Sequence, residues 1–521
     1  MTGIVAIISK RNEPIGELLI KMMKTLKHRG PKAFACCING EHSETIYSND
    51  LNELDVANLK GAKGVGGNFF DPINKNLNLL EFNKGICVFD GEFLESNIKV
   101  LDQLMTKCAD AKNLNGFIKK IIDKLVGGFS IGILLNNKII FVRDIIGIRP
   151  IFMGENNRLI AFASEKKALW QTGVLDRIEP LLPGEGVVVT KNTIKKYSFR
   201  DRLNNKVIKI DFNESVKKVK ELLINSTLKK VKNHEAALLF SGGLDSSILA
   251  QIFINSGIDV QLFCSGFKDG KDFKNSVRAS KTLGLPLVFE ELTDERILTE
   301  LDKIIYHLES NDTVTAEIAS PFYFATKAAK EHGFKNIFSG QGADEIFAGY
   351  SRYEKILHES GYNDLQNALF YDVTNIWQHN ILRDDRISMA NTIELKMPYL
   401  DDELVKFCMC VPPEYKLKEN VGEYEKKYIL KTVGKKLNLP NDILNQPKIA
   451  VQYGSGASKS FRRISTRLGL NIDLIKEYGF NSGNELMMNL MCYKLGFPEN
   501  EIKNVEKVKN LISYRDIFSK F

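Results

Sequence analysis

The pattern of apolar and polar positions changes character twice along this chain. Up to about residue 200 it consists of strand-length apolar runs: "GIVAIIS", "GICVFDGEF", "FSIGILL", "KIIFVRD", "LIAFASE" and "GEGVVVT". Two stretches, "ELLIKMMKTL" and "NLNGFIKKIIDKL", carry helical spacing instead. Asn136–Asn137, between two runs, reads as a hairpin turn. This mixture predicts stacked sheets covered by helices. The polar stretch Arg200–Lys206 has no apolar period and reads as a linker. "FNESVKKVKELLINSTLKKV" then opens an amphipathic helix, with Val216, Val219, Leu222 and Leu223 on one face. After it strands and helices alternate: "AALLF", "VQLFCSGF", "LPLVFEEL" and "NIFSG" are each separated by helical segments. Such alternation predicts a doubly wound parallel sheet. Beyond about residue 350 the pattern is largely helical.

Composition narrows the class without naming a function. The 521 residues allow two or three domains, and 44% hydrophobic with 26% charged residues is ordinary for a globular protein. No apolar run approaches the roughly 20 residues of a membrane span. The N-terminal run is short and has no basic stretch before it, so export is not expected and the cytoplasm is. The eight cysteines form no CxxC and the seven histidines no zinc spacing, which suits a reduced chain. The +8 charge is dispersed in a Lys/Asn/Ile-rich composition, and no dense basic run or RNA-binding motif points to nucleic acid.

Two loops carry the chemistry. In "LLFSGGLDSS" a strand ends at Phe240, and Ser241–Gly242–Gly243 form a turn whose N–H groups can approach an anion. A helix follows and aims its positive end at the same place. Asp245 could hold a Mg²⁺ bound to the phosphates. No GK[ST] follows, so this is not a Walker loop. "NIFSGQGADE" repeats the design: a strand, then Ser339–Gly340–Gln341–Gly342, then Asp344 and Glu345. Two such loops at the carboxyl ends of neighbouring parallel strands define a ligand crevice, where Asp245 and Asp344 could clamp one metal–pyrophosphate.

"SGGLDSS" resembles the pyrophosphate loop of the ATP-pyrophosphatase superfamily. With "SGQGADEIFAGY", "LRDDRISMANTIELKMPYLD" and "QPKIAVQYGSG" the chain resembles the glutamine-hydrolysing asparagine synthetase family. "LKHRGP", "DGE", "RDIIGIRPIFMG" and "ASEKKAL" resemble its class II glutaminase domain. The resemblance implies an αββα sandwich of the N-terminal-nucleophile type over 1–200 and an ATP-binding ligase domain over 208–521. It implies ATP and Mg²⁺, adenylation of a carboxylate, and displacement of AMP by ammonia that glutamine hydrolysis delivers through an internal passage. Position by position, Phe240 and Ser265 would border adenine, Ser241, Gly242, Gly243 and Ser246 would cradle pyrophosphate, and Asp245 and Asp344 would bind Mg²⁺. Ser339 and Gly340 would complete the nucleotide site. Lys448 would stabilise charge developing on phosphate. Gln341 stands where many members have glutamate. Asp385, Arg386 and Glu394 lie in "DRISMANTIE", expected near the acceptor substrate; as a bare sequence that segment reads as a helix. Relatives of this kind are often homodimers, and no interface is legible here.

The glutaminase half departs from the pattern. The family's cysteine nucleophile is here Thr2, whose hydroxyl needs a well-placed base once Met1 is removed. The family's "NGE" is here "DGE": Asp90 replaces an oxyanion donor, whose loss alone costs about 10²–10³ in rate. No arginine follows in "VANLKGAKGVGGNFFD", where the family has one for the glutamine carboxylate. Gly91, Glu92 and Asp110 remain at substrate-binding positions, and Arg143, Asp144 and Glu165 read as structural braces. The expectation is a retained glutaminase fold with absent or very weak glutaminase activity, and a ligase supplied by free ammonia. A ligase or cyclase for another carboxylate, a non-catalytic regulatory homologue and a tRNA-modifying enzyme are the alternatives; intact phosphate loops disfavour the second.

Overall fold

The computed structural model describes residues 2–39, 44–54, 60–70, 78–82, 85–91, 95–108, 113–135, 137–173, 177–420, 423–446 and 454–514. Asn136, Glu92, Asp110 and Lys448 lie outside the described residues. The chain forms two compact units, Met1–Leu203 and Asn204–Phe521.

The strands of the first unit are β1 (Thr2–Ser9), β2 (Ala33–Asn39), β3 (Glu44–Ser48), β4 (Lys63–Phe69), β5 (Leu79–Phe82), β6 (Gly85–Gly91), β7 (Phe129–Leu135), β8 (Lys138–Arg143), β9 (Phe152–Glu155), β10 (Leu159–Ala163), β11 (Ile178–Pro180), β12 (Glu185–Val189) and β13 (Ile194–Ser198). Among the described residues they make two antiparallel sheets, ordered β11-β9-β10-β1-β4-β2-β3 and β13-β12-β8-β7-β6-β5. The period-2 alternation sends Ile4, Ala6 and Ile8 of β1 into the space between the sheets, where they meet Ile86, Val88, Leu134 and Phe141. Phe141 stacks on Phe162 across that space with ring centroids 4.3 Å apart. The helix Gly16–Thr25 packs on β1 and β4, and the helix Leu114–Lys124 on β8, which completes an αββα sandwich. Strand β1 pairs on both sides, with β10 and β4, so the N-terminal strand is internal to its sheet. The expected braces are here: Arg143 donates to the carbonyls of Gly147, Arg149 and Leu181. Asp144 accepts from the amides of Phe129, Ile146, Gly147, Ile148 and Arg149.

Beside a two-stranded hairpin, β19 (Leu417–Asn420) and β20 (Glu423–Lys426), the second unit is built, among the described residues, on five strands, β14 (Glu235–Leu239), β15 (Asp259–Gly266), β16 (Leu287–Glu291), β17 (Asn336–Phe338) and β18 (Glu394–Lys396). Their order is β16-β15-β14-β17-β18, and every pairing is parallel. Helices Leu244–Asn255, Lys271–Leu283, Asp294–Leu308 and Thr313–Glu331 make the crossovers, and helices dominate after Ser351. The amphipathic helix spans Phe212–Leu228, and the Asp211 carboxylate caps it by accepting from the Asn213 and Glu214 amides. One segment departs from the sequence reading. The helix through "DRISMANTIE" stops at Ala390, Thr392 turns with φ 57°, and Glu394 begins β18. Pairing with β17 at the edge of the sheet overrides the local helical preference. Among the described residues no helix is long and apolar enough to cross a membrane.

Candidate active site

Strands β14 and β17 are neighbours, with Leu238 opposite Phe338. The two glycine loops therefore leave the sheet side by side. They line one cavity of about 400 Å³ together with residues from β15 and the helical region. Phe240, Ser241, Gly243, Asp245, Ser246, Ser265, Ser339, Gly340, Gln341 and Asp344 all line it. Gly242 is the turn itself, at φ 73°; a Cβ there would stand 2.5 Å from the Asn275 carbonyl oxygen, so no other residue fits. The Gly243 amide donates to Ser241 Oγ at 3.3 Å, and Ser246 Oγ donates to the Gly243 carbonyl. The Ser265 hydroxyl donates to the carbonyl of Pro321, which lines the same cavity. The Gln341 amide donates to Ser339 Oγ at 3.2 Å.

The two aspartates converge. Lys427 Nζ lies 2.6 Å from both carboxylate oxygens of Asp245 and 2.7 Å from Asp344 Oδ1. Two carboxylates aimed at one cationic centre, both hard oxygen donors, are the donor set Mg²⁺ takes beside phosphates. The room for this convergence is made by Gly349, where a Cβ would fall 1.9 Å from Asp344 Oδ1 and 2.5 Å from Lys427 Cε. Tyr399 fixes the first loop from behind, its hydroxyl donating to the Asp245 carbonyl at 3.0 Å.

The acceptor segment is arranged differently from its sequence expectation. Arg383 and Asp384 line the cavity, with Arg383 Nε 2.7 Å from Asp384 Oδ1. Asp385, Arg386 and Glu394 are not among the lining residues. Arg386 is buried against Glu309 and donates to the Leu308 carbonyl at 2.6 Å, tying its helix to the end of Asp294–Leu308. Glu394 pairs with Lys396 at 2.7 Å. A helix shows a different residue every 100°, and the sequence alone cannot say which of four consecutive charged residues faces inward. Lys427 and Tyr399 gave no local signal either; a lysine pair beside Glu425 reads as a solvated face.

Asp272 also lines the cavity, at only 8% exposure, and burial pushes its carboxyl up to about 7. A raised carboxyl means that the folded state keeps a proton which the unfolded chain releases near pH 4. The stabilisation is present below about pH 4 and is lost as pH rises to about 7. Asp272→Asn should therefore match the parent in unfolding free energy near pH 4 and exceed it by about 1–4 kcal/mol at pH 8. Urea titrations across that range check this; a gap that stays constant with pH would rule out Asp272 as its source.

In the first unit Thr2 and Asp90 are both fully buried, and the Thr2 backbone N–H donates to Asp90 Oδ1 at 3.0 Å. Thr2 Oγ1 accepts from Asn78 Nδ2 at 3.0 Å. Asp90 Oδ2 faces Arg29 Nη2 at 3.3 Å, and Arg29 Nη1 reaches Glu165 Oε1 at 2.9 Å. His28 and Lys167 also bond Glu165. Burial opposes ionisation of Glu165, yet His28, Lys167 and Arg29 together hold its carboxyl well below the usual carboxylate range. Gly91 ends β6 directly after Asp90. Strand β4 carries Lys63 and no arginine.

The chain matches the asparagine synthase family over residues 218–366 and 357–469, and the glutamine amidotransferase domain over 88–171. A putative asparagine synthetase (glutamine-hydrolyzing) 1 of Methanocaldococcus jannaschii is 28% identical across 92% of this chain and 98% of its own. Asparagine synthetase (glutamine-hydrolyzing) 3 of Arabidopsis thaliana is 24% identical across 100% and 87%. The human asparagine synthetase (glutamine-hydrolyzing) is 26% identical across 78% and 74%. Among solved structures, the allosteric regulatory enzyme of purine biosynthesis aligns with 57% of this chain and 77% of its own at 17% identity and a TM-score of 0.33, a likeness too slight to bear on either unit.

Proposed function

We propose that this chain, which belongs to the asparagine synthetase type of ATP-dependent carbon–nitrogen ligases, makes an amide from a small carboxylate and ammonia and does not hydrolyse glutamine at a useful rate. The carboxylate we favour is the aspartate side chain. Its oxygen attacks the α-phosphorus of ATP, the bond to the β-phosphate oxygen breaks, and an acyl-adenylate and pyrophosphate form. Ammonia then attacks the acyl carbon, AMP leaves, and a proton is released.

The observation that carries the ligase reading is the convergence of Asp245 and Asp344, from two glycine loops, on one cationic centre in a single cavity. Those two residues would hold Mg²⁺, which supplies charge neutralisation on the phosphates when bound. The N–H groups of Ser241–Gly243 and the start of the helix at Leu244 take phosphate oxygens. Phe240 and Ser265 line the cavity where the resemblance puts adenine, Gln341 lines it from the second loop, and Lys448 is assigned by resemblance to the charge developing on phosphate. Arg383 lies on the acceptor helix itself and lines the cavity, so it replaces Arg386 in our reading as the group for a substrate carboxylate. Asp385, Arg386 and Glu394 then support the helix and the edge strand.

The glutaminase reading turns on Asp90. A carboxylate 3.0 Å from the Thr2 nitrogen favours the protonated form of any free α-amine, and an ammonium cannot act as the base that Thr2 needs. The same carboxylate, already engaged by Arg29, offers no donor to an oxyanion. Asp110, Glu92 and Gly91 could hold a glutamine without its being cleaved. The deciding assay gives purified protein ATP, Mg²⁺ and aspartate with either ammonium or glutamine, and follows pyrophosphate and asparagine. Ammonium alone should support synthesis, with glutamine at least about 10²-fold slower. Equal rates would defeat the claim about the first unit. Absence of pyrophosphate in both arms would shift the substrate to another carboxylate.

A further inference from the structure

The ammonium of Lys427 stands where the metal reading puts a metal. Its nitrogen is 2.6 Å from both oxygens of Asp245 and 2.7 Å from Asp344 Oδ1. A Mg²⁺ held by Asp245 and Asp344 would need the place that the ammonium holds. The two cations cannot share it: at such separations like charges repel strongly even when screened.

The lysine is also built into place. Lys427 is buried, adopts φ 55°, and starts the helix Tyr428–Lys436, its carbonyl accepting from the Lys431 amide at 2.8 Å. Gly349 leaves the room for its stem. A buried ammonium stripped of both carboxylates has a high desolvation cost unless a new anion receives it. Free divalent cation brings no such anion. A nucleotide polyphosphate does, and Lys426 and Lys431 line the same cavity.

We propose that Lys427 is a built-in counter-ion that keeps the Asp245–Asp344 pair closed to free divalent cation and gives way only to the metal–nucleotide complex. Nucleotide phosphates draw the ammonium off the carboxylates at the same moment as they deliver the metal. Lys427 thereby enforces joint entry of metal and nucleotide and afterwards lies against the polyphosphate. This rests on the reading of the two aspartates as metal-facing groups.

The test uses Mn²⁺ as the probe and the full-length chain. Free Mn²⁺ is counted by its paramagnetic resonance signal, with and without a non-hydrolysable ATP analogue. The parent should bind Mn²⁺ only when the analogue is present. Lys427→Met should bind Mn²⁺ without it, at least about tenfold more tightly than the parent. Lys427→Gln, with a neutral polar end, should behave likewise and guards against misfolding of the methionine variant; thermal melts confirm that each is folded. Parent protein that binds Mn²⁺ without nucleotide as tightly as the variants overturns the proposal. So does a folded variant that gains no nucleotide-free binding while the parent with analogue binds normally. If the parent fails to bind Mn²⁺ even with the analogue, the metal reading of the aspartates falls, and the proposal falls with it.

Discussion

Asp344→Asn is expected to lower pyrophosphate release by at least about 10²-fold while the protein stays folded. The side chain lines the cavity and is only partly buried, so an isosteric amide removes charge without opening a void. Lys427 keeps Asp245 as its partner at 2.6 Å, so no buried cation is orphaned. What is lost is one of the two carboxylates facing the cationic centre. A pyrophosphate assay with a parallel thermal melt separates the two effects. A melt close to the parent's with a collapsed rate is the predicted result; an undiminished rate would take Asp344 out of the chemistry.

Arg29→Met should cost about 3–5 kcal/mol of stability in the first unit. Arg29 is wholly buried between Asp90 and Glu165, and both of those carboxylates are wholly buried too. Methionine fills much of the volume, so the loss is electrostatic: Asp90 retains the Thr2 N–H and loses its cation. A second substitution, Asp90→Asn, should recover part of the loss, because it removes the carboxylate left without its charge. Urea unfolding of the two single variants and the double variant measures this. A cost below about 1 kcal/mol for Arg29→Met would mean that the network contributes no more than a surface pair. The same network sets an acid limit. Glu165 is held well below the usual range, so its stabilisation is present above about pH 4.3 and fades as pH falls towards its folded value.

The second unit was the more legible half, for a local reason. A strand, a glycine turn and a helix N-terminus are adjacent in sequence, so "LLFSGGLDSS" and "NIFSGQGADE" carry their own geometry. Strand alternation likewise announced a parallel sheet, and β14 and β17 are parallel neighbours. The first unit's sheets were visible in its apolar runs; the place of β1 inside its sheet was not.

Other features depend on distance along the chain. Lys427 meets Asp245 and Asp344 only because the hairpin and helix after Leu417 fold back over the crevice. Which charged residues of "LRDDR" face the cavity depends on how the helix Leu382–Ala390 is rotated by its packing, and that packing turned Arg383 and Asp384 inward and Arg386 towards Glu309. The contrast is sharpest at Thr2. The chain itself specified a threonine where the resemblance implies a thiol and an aspartate where it implies a donor. Only the packing of β1 against β6 across the two sheets, with Arg29 paired to Asp90, decided that this aspartate would grip the Thr2 nitrogen. Composition and short-range pattern determine which elements form, because propensity and period act over a few residues. Which charges meet is decided by long-range packing, where burial makes an unpaired partner too costly to leave.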